Sequence, residues 1–386
     1  MPHTQTRQKM HAWIVVALAR TYTQPVQNIG WTDLPTQLPA AVVGAACAYD
    51  DDAWMCTGGG ATSGVLPTVS VLVDGSWQNE ADMYNMSSPR SYHTLEFINV
   101  GSGPAIPMVT GGSNATHVLD SVEDFVCHSM LNVCSWVSKP PMSMPRSSHA
   151  FVGLGLNRAM VLGGFARVSV PTTSTEIWNG TSWEPGTAMA TPRAYHAAVY
   201  HNGMVMVTGG ADSSNSVFAS VEFYDTTTGE WTSGPSMKFR RMRHAMCIFD
   251  GRAVVTGGIG NNEVLDSVEM YDFASETWVL ATPMAVPRYN HDMAALQADG
   301  GSIVVVGGQG DRGTLLTSMS SGNFNPPPPP PPPAPPTQPV PVQKKKKLKA
   351  WQVIVPVLLI LIIIILFLMR TRKEKNEPTA YINLRF

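Results

Sequence analysis

A chain of 386 residues, 44% of them apolar and 14% charged, is long and apolar enough to bury a large core. Its formal charge of −2 gives no global pull toward nucleic acid, which is excluded as an expected partner. Five cysteines without Cys-x-x-Cys spacing exclude a disulfide-built scaffold and a zinc-ribbon-like site.

In chain order, Arg7 and Lys9 precede an apolar run from Ala12 to Ala19 that closes on Ala17-Leu18-Ala19. This resembles a secretory signal with a small-x-small cleavage site, over residues 1–19. Beyond it, from residue 30 to 324, a pattern repeats. A glycine pair follows a short apolar run at Gly58-Gly59, Gly111-Gly112, Gly163-Gly164, Gly209-Gly210, Gly257-Gly258 and Gly307-Gly308, at intervals of about 50 residues. Tryptophans recur in step: Trp31, Trp77, Trp136, Trp183, Trp231 and Trp278. Between them lie polar-alternating stretches, clearest as Ser220-Val-Glu-Phe-Tyr-Asp225 and Ser267-Val-Glu-Met-Tyr-Asp272. An Arg-x-x-His element opens five units, at Arg90/His93, Arg146/His149, Arg193/His196, Arg241/His244 and Arg288/His291.

Each unit predicts four short strands. Runs such as Met204-Val-Met-Val-Thr208 are expected to be buried on both faces, and the glycines after them allow a turn that a Cβ would obstruct. The Tyr-Asp-x-x-Thr-x-x-Trp segment predicts a hairpin whose tryptophan fills space between neighbouring sheets. A single such sheet cannot bury both of its faces, whereas radial stacking of several sheets can. The co-occurrence of Arg-x-x-His, Gly-Gly, Tyr-Asp and Trp, in order and repeated, resembles the kelch family over roughly residues 30 to 324. The resemblance implies an all-β, six-bladed propeller. Trp31 precedes the first glycine pair and no tryptophan follows the last, so an N-terminal strand is expected to complete the last blade.

The second unit is the longest, and its Cys127 and Cys134 are close enough to face each other across a hairpin. They are read either as a disulfide, if the domain matures in an oxidising compartment, or as two small core thiols. Asn85, Asn114 and Asn179 sit in Asn-x-Ser/Thr sequons, glycosylation acceptors if the chain passes through the secretory route.

After residue 324 the composition changes. Pro326 to Pro341 is almost uninterrupted proline, followed by Lys344 to Lys347 and Lys349. Residues 325–349 read as a stalk, a polyproline rod of roughly 50 Å, or alternatively as a docking track for proline-reading domains. Residues 350–369 are nearly all apolar and of a length to span a lipid bilayer as one helix. Lysines before this span and Arg370, Arg372, Lys373 and Lys375 after it leave orientation open on charge alone. The signal-like start favours a single-pass membrane protein with its propeller outside the cell or in a lumen. The tail, 370–386, contains Tyr381 and Leu384 in a Tyr-x-x-Leu match to sorting and phosphotyrosine motifs, short enough to arise by chance.

No Gly-x-Ser-x-Gly, His-Glu-x-x-His or P-loop is present, and no cofactor is expected. The five repeat histidines are spread around the ring, too far apart for a metal, and no metal site is assigned. The repeat arginines, Arg90, Arg146, Arg193, Arg241 and Arg288, open the innermost strands and are expected to ring one mouth of the channel, as a site for acidic groups. The alternative is that each ties blades together through backbone carbonyls. The expected function is recognition rather than catalysis: a membrane-anchored module binding a protein or glycan at a propeller rim. A cytosolic tail-anchored scaffold is the alternative, and an enzyme resembling galactose oxidase is a distant third.

Overall fold

Each apolar run ahead of a glycine pair forms a strand, and its central residues are buried because a sheet packs against both sides. Arg158–Leu162, Met204–Thr208, Arg252–Thr256 and Ser302–Val306 all bury their last four residues. The computed structural model describes residues 31–322 apart from 51–52, 62, 74–75, 79–83, 102, 129–132, 168–169 and 297–300. The expected signal (1–19), stalk (325–349), membrane span (350–369) and tail (370–386, with Tyr381 and Leu384) lie outside the described residues. Among the described residues no helix is long and apolar enough to cross a membrane.

Six antiparallel four-stranded sheets form the blades of a propeller. From the axis outward, blade I is Ala46–Asp50, Ala53–Thr57, Val69–Val73 and Ser76–Gln78, and blade II is Thr94–Ile98, Ile106–Thr110, Val122–His128 and Val133–Lys139. Blade III is Ala150–Gly155, Arg158–Leu162, Thr175–Trp178 and Trp183–Gly186. Blade IV is Ala197–His201, Met204–Thr208, Val221–Asp225 and Trp231–Gly234. Blade V is Ala245–Phe249, Arg252–Thr256, Val268–Asp272 and Thr277–Ala281. Blade VI takes Asp292–Leu296, Ser302–Val306 and Ser318–Gly322, and its outer strand is Trp31–Gln37 from the other end of the propeller. The N-terminal strand therefore closes the ring, with Trp31 opposite Gly322 and Asp33 opposite Ser320.

The core is divided among the blade junctions. Val152, Met160 and Leu162 of blade III meet Val205, Val207 and Tyr224 of blade IV, and equivalent clusters fill the other five junctions. Each repeat tryptophan packs at one of them, and five donate their indole N–H to the loop that enters their own blade. Trp31 reaches Thr282 O at 3.2 Å, Trp136 reaches Tyr84 O at 2.7 Å, Trp183 Pro140 O at 3.1 Å, Trp231 Thr187 O at 2.8 Å and Trp278 Pro235 O at 2.9 Å. The indole is thus both a filler and a fixed hydrogen-bond donor. Trp77 packs at the junction of blades VI and I, and its buried N–H has no partner among the described residues.

Candidate functional site

The loop that enters each innermost strand decides what is buried and what faces solvent. In blades II, III, IV and VI it reads Met-x-x-Pro-Arg-x-x-His, and in blade V Met-x-x-Arg-Arg-x-x-His. The methionines, Met86, Met142, Met189, Met237 and Met284, are all buried. Each motif methionine, arginine carbonyl and histidine ring closes on the first glycine of the preceding blade's pair. A Cβ on Gly163, for example, would lie 2.6 Å from Arg193 O and 2.8 Å from the His196 ring, and its φ of +56° already disfavours any side chain.

The five motif arginines are not a channel-mouth ring. Arg90, Arg146, Arg193, Arg241 and Arg288 are at most 1% exposed, so no ligand reaches them. The cause is the polar-alternating stretch of their own blade, which places a glutamate beneath four of them. Arg146 pairs with Glu176 at 2.9 Å, Arg193 with Glu222 at 2.6 Å and Arg241 with Glu269 at 2.7 Å, while Arg90 pairs with Glu123. Each also donates to the carbonyl of a glycine, as Arg193 does to Gly209 at 2.6 Å. The second carboxylate oxygen accepts backbone N–H groups of the entering loop, Ala190 N at 2.7 Å on Glu222 for instance. Burial pulls each guanidinium below its ordinary pKa, and the adjacent glutamate offsets this. The pairs are satisfied ties that fix loop to blade.

The motif histidines are buried too, and burial together with the neighbouring arginine holds each of them neutral, His196 down to about 3. Four reach back to the threonine ahead of the preceding glycine pair: His93 to Thr57 at 2.7 Å, His149 to Thr110 at 2.8 Å, His244 to Thr208 at 2.9 Å and His291 to Thr256 at 2.8 Å. His196 meets Leu162 in that place, so it has no threonine hydroxyl to reach, and its ring lies beside the backbone of Leu162 and Arg193. Among the described residues no group of three or more His, Cys, Asp or Glu side chains is placed to hold a metal ion.

The residue between arginine and histidine that carries a positive φ is half-buried rather than buried: Tyr92, Ser148, Tyr195, Arg243 and Asn290, with a buried Gly44 at the same place in blade I. These six line the mouth of the channel. Their backbones form a chain around it, Tyr92 N to Gly44 O at 2.7 Å, Ser148 N to Tyr92 O at 2.8 Å, Tyr195 N to Ser148 O at 2.9 Å, Arg243 N to Tyr195 O at 2.8 Å and Asn290 N to Arg243 O at 2.9 Å. Side chains are thereby displayed from a rigid collar. The Arg243 guanidinium lies 4.2 Å from the centre of the Tyr195 ring, and Phe165 meets the same ring edge-on at 5.2 Å. Arg243 makes no salt bridge among the described residues. Burial raises the Tyr92 hydroxyl pKa against the opposing pull of Arg243. A second hollow beside the mouth runs from Tyr92 and Tyr195 past Phe165 to Asp212. Sequence reasoning passed over these residues because it followed what repeats. Their signal was the opposite one: a position inside a repeated motif where the residue changes from blade to blade, only Tyr92 and Tyr195 being alike.

Deeper in the channel, burial pushes Asp292 up to about 7, against a hydrogen bond from Cys47 N at 2.7 Å, and burial with Asp50 pushes Glu96 up to about 8. Of the sequon residues, Asn85 and Asn179 are exposed and Asn114 is half-buried. Cys127 and Cys134 are opposite each other in a hairpin and joined as a disulfide, and Cys47 and Cys56, which sequence reasoning left unpaired, form a second. Cys247 is free, and burial pushes its thiol up to about 12.

Comparison with known proteins agrees with this architecture. The KLHDC2/KLHL20/DRC7 Kelch-repeats domain family matches residues 165–325. Alpha-scruin of Limulus polyphemus is 33% identical over 182 residues, 44% of this chain and 20% of that protein. Beta-scruin of the same organism is 34% identical over 169 residues, 41% of this chain and 18% of that protein. Kelch-like protein 15 of Danio rerio is 33% identical over 86 residues, 21% and 14% respectively. The chain spans a fifth or less of the length of these relatives. Among solved structures, that of YjhT matches with a TM-score of 0.63 at 15% identity, over 76% of this chain and 97% of that one, a likeness of fold.

Proposed function

We propose that this chain, which belongs to the kelch-repeat family, is a membrane-anchored recognition module that takes a protein or glycan partner at the channel mouth. The observation that carries the reading is the collar. It lies at the channel mouth between the buried motif arginine and histidine, and it presents half-buried Tyr92, Tyr195, Arg243 and Asn290 on a hydrogen-bonded backbone. Aromatic rings and an arginine held in place are what binding hot spots are made of. Kelch propellers commonly bind protein partners, which favours protein over glycan.

Chain path supports the anchored arrangement. Trp31 and Gly322 pair side by side at the end of blade VI away from the mouth. Both ends of the described chain therefore lie on the face opposite the collar. Residues 350–369 then serve as the anchor and 325–349 as the stalk. Two disulfides, Cys47–Cys56 and Cys127–Cys134, favour maturation in an oxidising compartment, with the propeller outside or in a lumen.

The test compares intact cells displaying the full chain with cells displaying the Tyr195→Ser/Arg243→Ser variant, by differential capture and mass spectrometry. A partner held by the former and reduced at least tenfold by the latter, at equal surface expression and melting temperature, supports the reading. Equal capture by both rejects the mouth as the site.

A further inference from the structure

Five of the six blade junctions share two sets of backbone bonds that the sixth lacks, although the sixth keeps the bond of its entering loop, Leu38 N to Thr317 O at 2.9 Å. At the I–II, II–III, III–IV, IV–V and V–VI junctions, the second glycine N–H donates to the carbonyl of the next blade's motif arginine, from Gly59 to Arg90 at 2.9 Å round to Gly258 to Arg288 at 2.8 Å. The same five junctions carry the collar bonds, and four of them the histidine–threonine pair. At the junction of blades VI and I, Val42 stands at the arginine position, Ala45 at the histidine position and Val306 at the threonine position. Gly308 makes no backbone bond to Val42, and Gly44 makes none to Asn290.

Other groups occupy this junction. The carboxylate of Asp292, on blade VI, accepts from Cys47 N of blade I at 2.7 Å. Cys47 is bridged to Cys56 on the neighbouring strand, and both pack against blade VI, in a cluster with Val304, Val306 and Met319. Cys127–Cys134 lies elsewhere, on the outer hairpin of blade II. Among the described residues the junction also adjoins the one blade assembled from two ends of the propeller, in which non-covalent pairing of Trp31–Gln37 with Ser318–Gly322 keeps the ring shut. A ring closed in this way parts where the chain is not continuous across a sheet.

We propose that the junction between blades VI and I is the joint at which this propeller opens, and that the Cys47–Cys56 disulfide is its lock. Reduction by a dithiol releases it. One thiolate of the reductant attacks a bridge sulfur and breaks the S–S bond, and the second displaces the resulting mixed disulfide. Cys47 and Cys56 take up two electrons and two protons as thiols, and the reductant leaves as its own disulfide. The innermost strand Ala46–Asp50 then keeps its pairing with Ala53–Thr57 but loses the cross-link in the middle of it, which loosens the Cys47 N–H on Asp292. Opening separates Gly44 from Asn290 at the mouth, so the lock and the collar are mechanically joined.

Hydrogen exchange of the full chain, read by mass spectrometry with and without dithiothreitol, tests this. Alkylation identifies which bridge has been reduced. The expected result is exchange at least tenfold faster in Trp31–Gln37, Ala46–Asp50 and Asp292–Leu296 once Cys47–Cys56 is reduced, with blades III and IV changed by less than twofold. The Cys47→Ala/Cys56→Ala variant is expected to show this pattern without reductant, and Cys127→Ser/Cys134→Ser to respond as the wild type. Acceleration spread evenly over six blades, or confined to the hairpin of the bridge, overturns the proposal. So does a Cys47–Cys56 bridge that stays oxidised in the folded protein after Cys127–Cys134 is reduced.

Discussion

Asp33 stands in for the glutamate that blade VI lacks beside Arg288. Ser320 occupies the glutamate position, and its hydroxyl donates to Asp33 at 2.7 Å while accepting from Arg288 at 3.5 Å. The carboxylate has moved to the closing strand, so burying the last arginine depends on the ring being shut. Asp33 is exposed, and its loss is correspondingly modest: Asp33→Ala is expected to cost about 1–2 kcal/mol. Glu222→Ala, which leaves Arg193 buried without its carboxylate, should cost about 3–5 kcal/mol. Adding Ser320→Glu to Asp33→Ala restores the repeat pair and is expected to recover the loss. Denaturant unfolding of the variants measures all three.

Two substitutions compare junctions with and without the histidine–threonine pair. Thr208→Val leaves His244 Nε2 without its partner and should cost about 1–3 kcal/mol. His196 lacks the threonine partner, with Leu162 in its place, so His196→Leu is expected to cost less than Thr208→Val. A larger loss at His196, seen in thermal melts, would mean that the imidazole is held by the backbone beside it.

Two glycines divide backbone strain from steric exclusion. Gly155 has φ +79° but nothing within 4 Å of the place a Cβ would take, so Gly155→Ala bears only the cost of the left-handed backbone, about 1–2 kcal/mol. Gly163→Ala adds a collision with Arg193 O at 2.6 Å and should exceed about 3 kcal/mol or prevent folding. Urea midpoints of the two variants give the comparison.

Stability should peak at about pH 6.5. The five buried histidines stay neutral when folded but take up protons near 6.5 when unfolded, so stability falls as pH drops from there toward about 3. Glu96 and Asp292 act in the opposite sense: folding raises them from 4.5 and 3.8 to about 8 and about 7, so stability falls as pH rises through that window. Below 6.5 five histidines outweigh two carboxylates, and above it the carboxylates alone titrate. Asp292→Asn, which keeps an acceptor for Cys47 N, should flatten the decline between pH 6.5 and 8. Melting temperatures from pH 4 to 9 test both statements.

Passage through the secretory route has its own readout. Full-length protein made in eukaryotic cells is expected to shift downward on treatment with an N-glycosidase, and the shift should vanish in an Asn85/Asn114/Asn179→Gln triple variant. Exposed Asn85 and Asn179 are the first positions to check by peptide mapping. An unshifted protein, with its propeller open to protease in sealed microsomes, would place it in the cytosol instead.

What the chain alone determined was the scaffold. Glycine pairs, tryptophans and Arg-x-x-His elements recur because every blade must solve the same packing problem, and a repeated solution is visible in one dimension. Ring closure by Trp31 followed from counting. Tertiary structure decided what the repeated polar residues do. The arginines looked available because charge in a sequence carries no burial, yet Glu123, Glu176, Glu222 and Glu269 lie about 30 residues away on the third strand of the same blade and draw them inside. The mouth residues, the Cys47–Cys56 bridge and the Asp292 contact across 245 residues arise where strands from different blades meet. Only the closed ring brings those atoms together, and periodicity says nothing about positions where the period is broken.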